Sequence, residues 1–176
     1  MSTGAMIWMA ENVFPRHWQG ASLEYVTHSP AETRALASKL AAWLAPGDII
    51  ALDGELGSGK TEFVHGLATG LGVPAEVPVA SPSFILAQEY PGRVLLVHLD
   101  LYRLEDLPAE MLPDLEEYLS SEAVVAAEWA GRLALLLPGE YLEIQMAILG
   151  DTDRRLTFGG HGPRGRELVI KLKGSE

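Results

Sequence analysis

The chain has 176 residues, 48% of them apolar, which is enough for one domain with a core of its own. Thirteen basic against 24 acidic residues leave a net charge of −11, which argues against broad, non-specific binding to a nucleic-acid backbone and against DNA as a partner. Cysteine is absent, which excludes a disulfide framework and thiolate chemistry, and no apolar run approaches the roughly 18 residues of a membrane span.

Residues 1 to 20 show no clear period and are expected to form a flexible extension ahead of one domain over 21–176. Within them Met6-Ile7-Trp8-Met9-Ala10 is too short for a secretory leader and is followed by Glu11, so a cytoplasmic protein is expected. Leu23–Thr27 alternates like a strand. Ser29-Pro30-Ala31-Glu32 then starts a helix: the hydroxyl caps, the proline suits the first helical position, and Glu32 completes a capping box. Leu36, Leu40 and Leu44 share one side of it, and Pro46-Gly47 ends it.

Asp48–Asp53 reads as a short buried strand. It runs into GELGSGKT (54–61), and a helix follows with Phe63, Val64, Leu67, Ala68 and Leu71 on one stripe, closed by Gly72. A proline-rich loop leads to a strand at 84–90, which Pro91-Gly92 folds back as a hairpin onto 93–100. Leu104, Leu107, Met111, Leu115 and Tyr118 keep a helical period, which Pro113 divides into two short helices. Ala123–Ala127 is a further strand, ending at Glu128, and 132–137 a helical turn. The segments 141–149, 155–158 and 167–173 are expected to be strands. Hairpins beside a strand–loop–helix unit indicate an α/β protein with strands of both senses.

The pattern Gly54, four residues, Gly59-Lys60-Thr61 is a P-loop, and the strand before and helix after it are the context that motif needs. Backbone N–H groups from about Leu56 to Thr61 must turn inward toward phosphate oxygens, which glycine permits. Lys60 supplies a point charge for the β- and γ-phosphates, and the Thr61 hydroxyl a Mg²⁺ ligand. The expected nucleotide contacts are Glu55, Leu56, Gly57, Ser58, Gly59, Lys60, Thr61 and Glu62. A P-loop site also wants a carboxylate at the end of a neighbouring strand. Val94–Asp100 ends on Asp100, and Ala123–Ala127 ends on Glu128, so both acids can face the phosphates from strand tips, as metal ligands or to orient water. Ser83, in Ser81-Pro82-Ser83, is the candidate hydroxyl for sensing the γ-phosphate. His65 reads as a packed or surface residue and His98 as a hydrogen-bonded core histidine.

Eight carboxylates and no basic residue lie between Glu105 and Glu128, whereas six of the thirteen basic residues lie from Arg154 onward. Both runs read as solvated faces or as two docking surfaces of opposite sign.

GELGSGKT (54–61), ASPSFILAQEY (80–90), HLDLYRL (98–104), LEEYL (115–119) and the Glu128-Trp129 pair, in this order, resemble the TsaE (YjeE) family over roughly residues 23 to 150. That resemblance implies a P-loop NTPase-like three-layer fold, a mixed parallel and antiparallel sheet flanked by helices. It implies ATP and Mg²⁺, with TsaD and TsaB homologues as partners. Hydrolysis would drive or reset the complex that forms N6-threonylcarbamoyladenosine at position 37 of tRNA, with tRNA reached through that complex. By the same resemblance Lys60 and Thr61 are the phosphate and Mg²⁺ residues, Asp100 the Walker-B-like aspartate, Glu128 the essential glutamate and Trp129 a tryptophan beside the nucleotide. Ser83 stands where the family usually has threonine, and Glu62 where it often has threonine or serine. Ala130-Gly131-Arg132 is less acidic than usual, and the first twenty residues have no counterpart. A small-molecule P-loop kinase is the main alternative, although 101–128 holds only Arg103 for a lid. A nucleotide-dependent binding module without productive turnover is another.

Overall fold

The structure is a computed structural model and describes residues 22–82, 86–104 and 107–175. The expected N-terminal extension and Ser83 lie outside the described residues. Thirteen elements follow in chain order: β1 (Ser22–Thr27), α1 (Pro30–Ala41), β2 (Ile49–Gly54), α2 (Lys60–Gly70), β3 (Ala87–Tyr90), β4 (Leu96–Asp100), a 3₁₀ turn at Ala109–Met111, α3 (Leu112–Leu119), β5 (Val124–Glu128), a 3₁₀ turn at Ala130–Leu133, β6 (Tyr141–Ile148), β7 (Arg154–His161) and α4 (Gly162–Lys173).

The strands form one sheet in the order β1-β7-β6-β2-β5-β4-β3. Its centre is parallel, with β2 between β5 and β6 and β4 beside β5. The hairpin partners β3 and β7, and β1 on β7, pair antiparallel. This is the mixed sheet expected from the hairpins and the strand–loop–helix unit.

Side-chain alternation splits the core into two layers. On β2, Ile50 and Leu52 pack with Leu40, Phe63, Leu67, Phe158 and Leu168 under α1, α2 and α4. Ile49 and Ala51 pack on the other face with Leu99, Leu115, Val125 and Leu133. A strand buried on both faces has no reason to alternate polar and apolar, which is why β2 and β5 read as apolar runs up to their terminal acids and β4 departs from one only at His98 before Asp100. The same alternation sets the site. Glu128 shares a face with Val124 and Ala126, and Asp100 with Leu96, so both acids emerge on the side of α2.

The N-terminus of α1 forms as its residue types dictate. The Ser29 hydroxyl accepts from the Glu32 amide at 3.2 Å, and the Glu32 carboxylate reaches back to the His28 amide at 2.8 Å. Three sequence expectations differ. Residues 167–173 form part of α4, not a strand: Leu168, Val169 and Leu172 are buried together while Ile170 is exposed, and the stretch follows Gly162-Pro163 at a helix start. The apolar run Leu168-Val169-Ile170 imitated a strand because three consecutive apolar residues, two of them β-branched, mask the helical pairing of Leu168 and Val169 with Leu172. The two helices expected at 104–119 reduce to a three-residue 3₁₀ turn and α3, and Pro113 starts α3 where it was expected to separate two helices. The helical turn expected at 132–137 is a 3₁₀ turn that begins earlier, at Ala130.

Candidate functional site

The site lies where β2 passes into α2. Gly54 closes the strand, and a Cβ there would come within 2.3 Å of the Met146 carbonyl oxygen and 2.7 Å of the Ser58 hydroxyl. Gly59 precedes the helix with φ of 99°, a left-handed conformation that side chains resist. The loop can therefore draw its backbone inward, and the positive end of α2 opens into the cradle it makes.

Lys60 is almost fully buried. Its ammonium donates to the carbonyl oxygens of Gly54 at 2.7 Å and Glu55 at 3.0 Å, and approaches the Ser58 hydroxyl at 3.4 Å. It also lies 4.1 Å from the centroid of the Trp129 ring, a cation–π distance. Burial lowers the Lys60 pKa, while Glu128, Asp53, Asp100 and Glu55 act against that. Four carboxylates therefore act on one cation.

The Thr61 hydroxyl donates to Glu128 Oε1 at 2.7 Å. The His98 imidazole meets the same oxygen through Nε2 at 2.8 Å. Asp100 and Glu128 are register partners at the ends of adjacent parallel strands and both are buried. The Asp100 carboxylate accepts from the Ser81 hydroxyl and, at 2.9 Å, from the Tyr102 amide. Trp129 follows β5 in a left-handed conformation, φ 59°, which turns its ring away from the strand toward Lys60 and within 5.3 Å of Tyr102. Arg132 backs the same ring from 5.7 Å.

Lys60, Thr61, Glu128 and Trp129 are thus in contact, with Asp100 beside Glu128. Glu55, Leu56 and Gly57 form the exposed crest of the loop. The Glu62 side chain is engaged elsewhere, in an ion pair with Arg34 of α1. His65 is on the surface of α2. The donors that could surround a Mg²⁺ ion here are a hydroxyl and two carboxylates, all hard oxygens. Among the described residues no three His, Asp or Glu side chains gather into a metal cluster of their own. A single hydroxyl with one or two carboxylates suits an ion that completes its shell with phosphate oxygens and water. The residues present therefore fit Mg²⁺ with a polyphosphate.

Among the described residues, clefts lie outside the cradle as well. One of about 320 Å³ is at the opposite end of the sheet, against Asp48 and Arg164. Another, about 390 Å³, is lined by Ser81, Pro82 and Tyr90, and among the described residues it meets the site at Ser81.

Residues 27–156 match the family described as "Threonylcarbamoyl adenosine biosynthesis protein TsaE". The chain belongs to the TsaE family. The family's place is tRNA threonylcarbamoyladenosine biosynthesis, and relatives carry that name. The chain is 41% identical to the Bacillus subtilis TsaE over 85% of its own length and 93% of the relative's. It is 36% identical to the Treponema pallidum TsaE over 75% and 96%. The crystal structure of Bacillus subtilis YdiB superposes with a TM-score of 0.76 at 36% identity, covering 88% of this chain and 96% of that one. The TsaE assignment and the P-loop fold agree with the resemblance read from the motifs.

Several contacts in this TsaE site are invisible in the sequence. Asp53, at the end of β2, accepts from the Gly131 amide at 2.9 Å and so ties the start of the P-loop to the turn after Trp129. Burial pushes its carboxyl up to about 7; Glu143 adds to the rise, while the Gly131 amide, Lys60 and Arg132 oppose it. The Ser81 hydroxyl, which donates to Asp100, was not singled out by the sequence. Arg154, at the start of β7, donates to the Gly57 carbonyl at 3.1 Å and holds the crest of the loop. Only strand-end position hinted at Asp53; the others depend on pairings across the chain.

Proposed function

We propose that this chain is a Mg²⁺-dependent P-loop ATPase that serves as an accessory subunit in forming N6-threonylcarbamoyladenosine at position 37 of tRNA. It works in the cytoplasm, docked on TsaD and TsaB homologues, and meets tRNA through that complex. The observation that carries the reading is the 2.7 Å contact between Thr61 and Glu128 at the mouth of a helix whose first residue is the buried Lys60.

Each residue then has a task. Lys60, which now donates to loop carbonyls, would turn to the β- and γ-phosphates. Backbone amides of the cradle hold the remaining phosphate oxygens. Thr61, with Glu128 and Asp100, would hold Mg²⁺, which would supply charge neutralisation to the phosphates. Glu128 and Asp100 are the acceptors on this face able to orient a water molecule for attack. Trp129 walls the pocket behind Lys60.

Isolated turnover is slow in this reading, because groups that complete the site arrive with the partner. The test is ATP turnover by the chain alone and with TsaB plus TsaD, with and without tRNA. Stimulation by the partners is expected; turnover absent in every mixture would reject the ATPase reading.

A further inference from the structure

His98 is fully buried, and one of its ring nitrogens is accounted for: Nε2 lies 2.8 Å from Glu128 Oε1. The other is not. Nδ1 is buried with no hydrogen-bond partner among the described residues. Its neighbours on β4, Leu96, Val97 and Leu99, are all apolar and buried. A polar ring at this position costs desolvation that a leucine would avoid, so its one hydrogen bond must account for it. A neutral ring that donates through Nε2 leaves only a lone pair unsatisfied at Nδ1. A ring donating from Nδ1 would bury an unpaired N–H and face the carboxylate with a second acceptor.

Two donors therefore converge on a single oxygen of Glu128, Thr61 from α2 and His98 from β4. With Oε1 held from two sides, the carboxylate has one orientation, and Oε2 has no hydrogen-bond partner among the described residues. We propose that His98 is a positioning residue that fixes Glu128, so that Oε1 is committed to Thr61 and His98 while Oε2 is kept for the Mg²⁺–nucleotide. The proposal rests on the Mg²⁺–ATP reading of this site. His98 touches neither nucleotide nor metal and acts only through Glu128.

The test compares ATP affinity, measured by calorimetry with Mg²⁺ and with EDTA, for the full chain and for His98→Phe and His98→Gln. His98→Phe keeps a ring of similar size and removes the donor. His98→Gln places an amide donor near the position of Nε2. With Mg²⁺, His98→Phe is expected to lose roughly 10- to 100-fold in affinity, the usual effect of removing a hydrogen bond behind a metal ligand. With EDTA it should bind as the parent does, and His98→Gln should recover most of the gain that Mg²⁺ gives. A purely structural histidine would lower the melting temperature of both variants and leave that gain intact; this result overturns the proposal. Nitrogen chemical shifts of the parent protein give a second, ligand-free readout. A proton on Nε2 and none on Nδ1 is expected, and the reverse also overturns the proposal, even if His98→Phe fails to fold. A parent chain that binds no ATP with or without Mg²⁺ rejects the Mg²⁺–ATP reading itself, whereas an undiminished Mg²⁺ gain in His98→Phe rejects the role of His98 alone.

Discussion

Thr61 and Glu128, 67 residues apart, are joined by a 2.7 Å hydrogen bond that links the first turn of α2 to the end of β5. Glu128 is 3% exposed, so its carboxylate is held out of water and aimed at the helix start. Glu128→Gln keeps an acceptor for Thr61 but removes the charge. ATP binding in EDTA should persist, while the gain that Mg²⁺ gives is reduced and partner-stimulated turnover falls by at least about 100-fold, the scale of losing one well-placed acid–base group. Turnover equal to the parent's would remove Glu128 from the mechanism.

Lys60 has the opposite signature. Its ammonium is the buried cation at the cradle and lies 4.1 Å from the Trp129 ring. Lys60→Ala should weaken Mg²⁺–ATP binding by roughly 1.5–3 kcal/mol or more, the value of a hydrogen bond to a charged group. That corresponds to about 10- to 150-fold. Trp129 emission reports the change, read against Trp129→Phe because the chain holds four tryptophans. ATP affinity unchanged in Lys60→Ala would contradict the phosphate role.

What was legible in the sequence follows from range. The P-loop is local: Gly54, Gly59, Lys60 and Thr61 declare it because phosphate binding needs those residue types within eight positions. Asp100 and Glu128 were legible because each closes a short apolar run of the length and residue types of a buried strand. That they are register partners on one face depends on β4 lying beside β5, which no local pattern states. Ser81, His98 and Asp53 acquire meaning only through contacts 19, 30 and 78 residues away. The C-terminal helix was misread for a similar reason: Leu168-Val169-Ile170 has strand-like residue types, and burial against α1 and the sheet decides otherwise. The basic run after Arg154 also proves less available for docking than its charge suggests. Arg164 is bound to Asp48, Glu167 and the Trp43 carbonyl, and Arg154 to backbone carbonyls.

Arg164 and Asp48 make a bidentate pair at 2.8 and 2.6 Å, at the end of the sheet remote from Lys60. Asp48 is 6% exposed. Arg164→Ala strands that carboxylate and also frees the Trp43 carbonyl. Removing one partner of a fully buried pair costs about 3–5 kcal/mol; the partial exposure of Arg164 brings the expected loss to about 2–3 kcal/mol. Denaturant midpoints measure it. ATP affinity of the folded variant should not change, and a large fall in affinity would mean that the two ends of the sheet are coupled.

Asp53 gives a pH dependence of defined sign. Its carboxyl is held at about 7 in the folded chain against 3.8 in its ordinary state, because burial disfavours the charge. Below 3.8 both states are protonated and the full contribution of this group to stability is present. Between 3.8 and about 7 the unfolded chain releases the proton while the folded chain keeps it, so stability falls as pH rises. The steepest possible slope from one group is about 1.36 kcal/mol per pH unit; partial exposure of Asp53 keeps the real slope below that. Above about 7 both states are ionised and the loss is complete. Asp53→Asn resembles the protonated form and can still accept from the Gly131 amide. The variant should therefore be more stable than the parent above pH 7 and match it near pH 4, with a flatter profile between. Urea melts across that range decide the matter: a parent and variant with parallel profiles would show that Asp53 ionises freely in the fold.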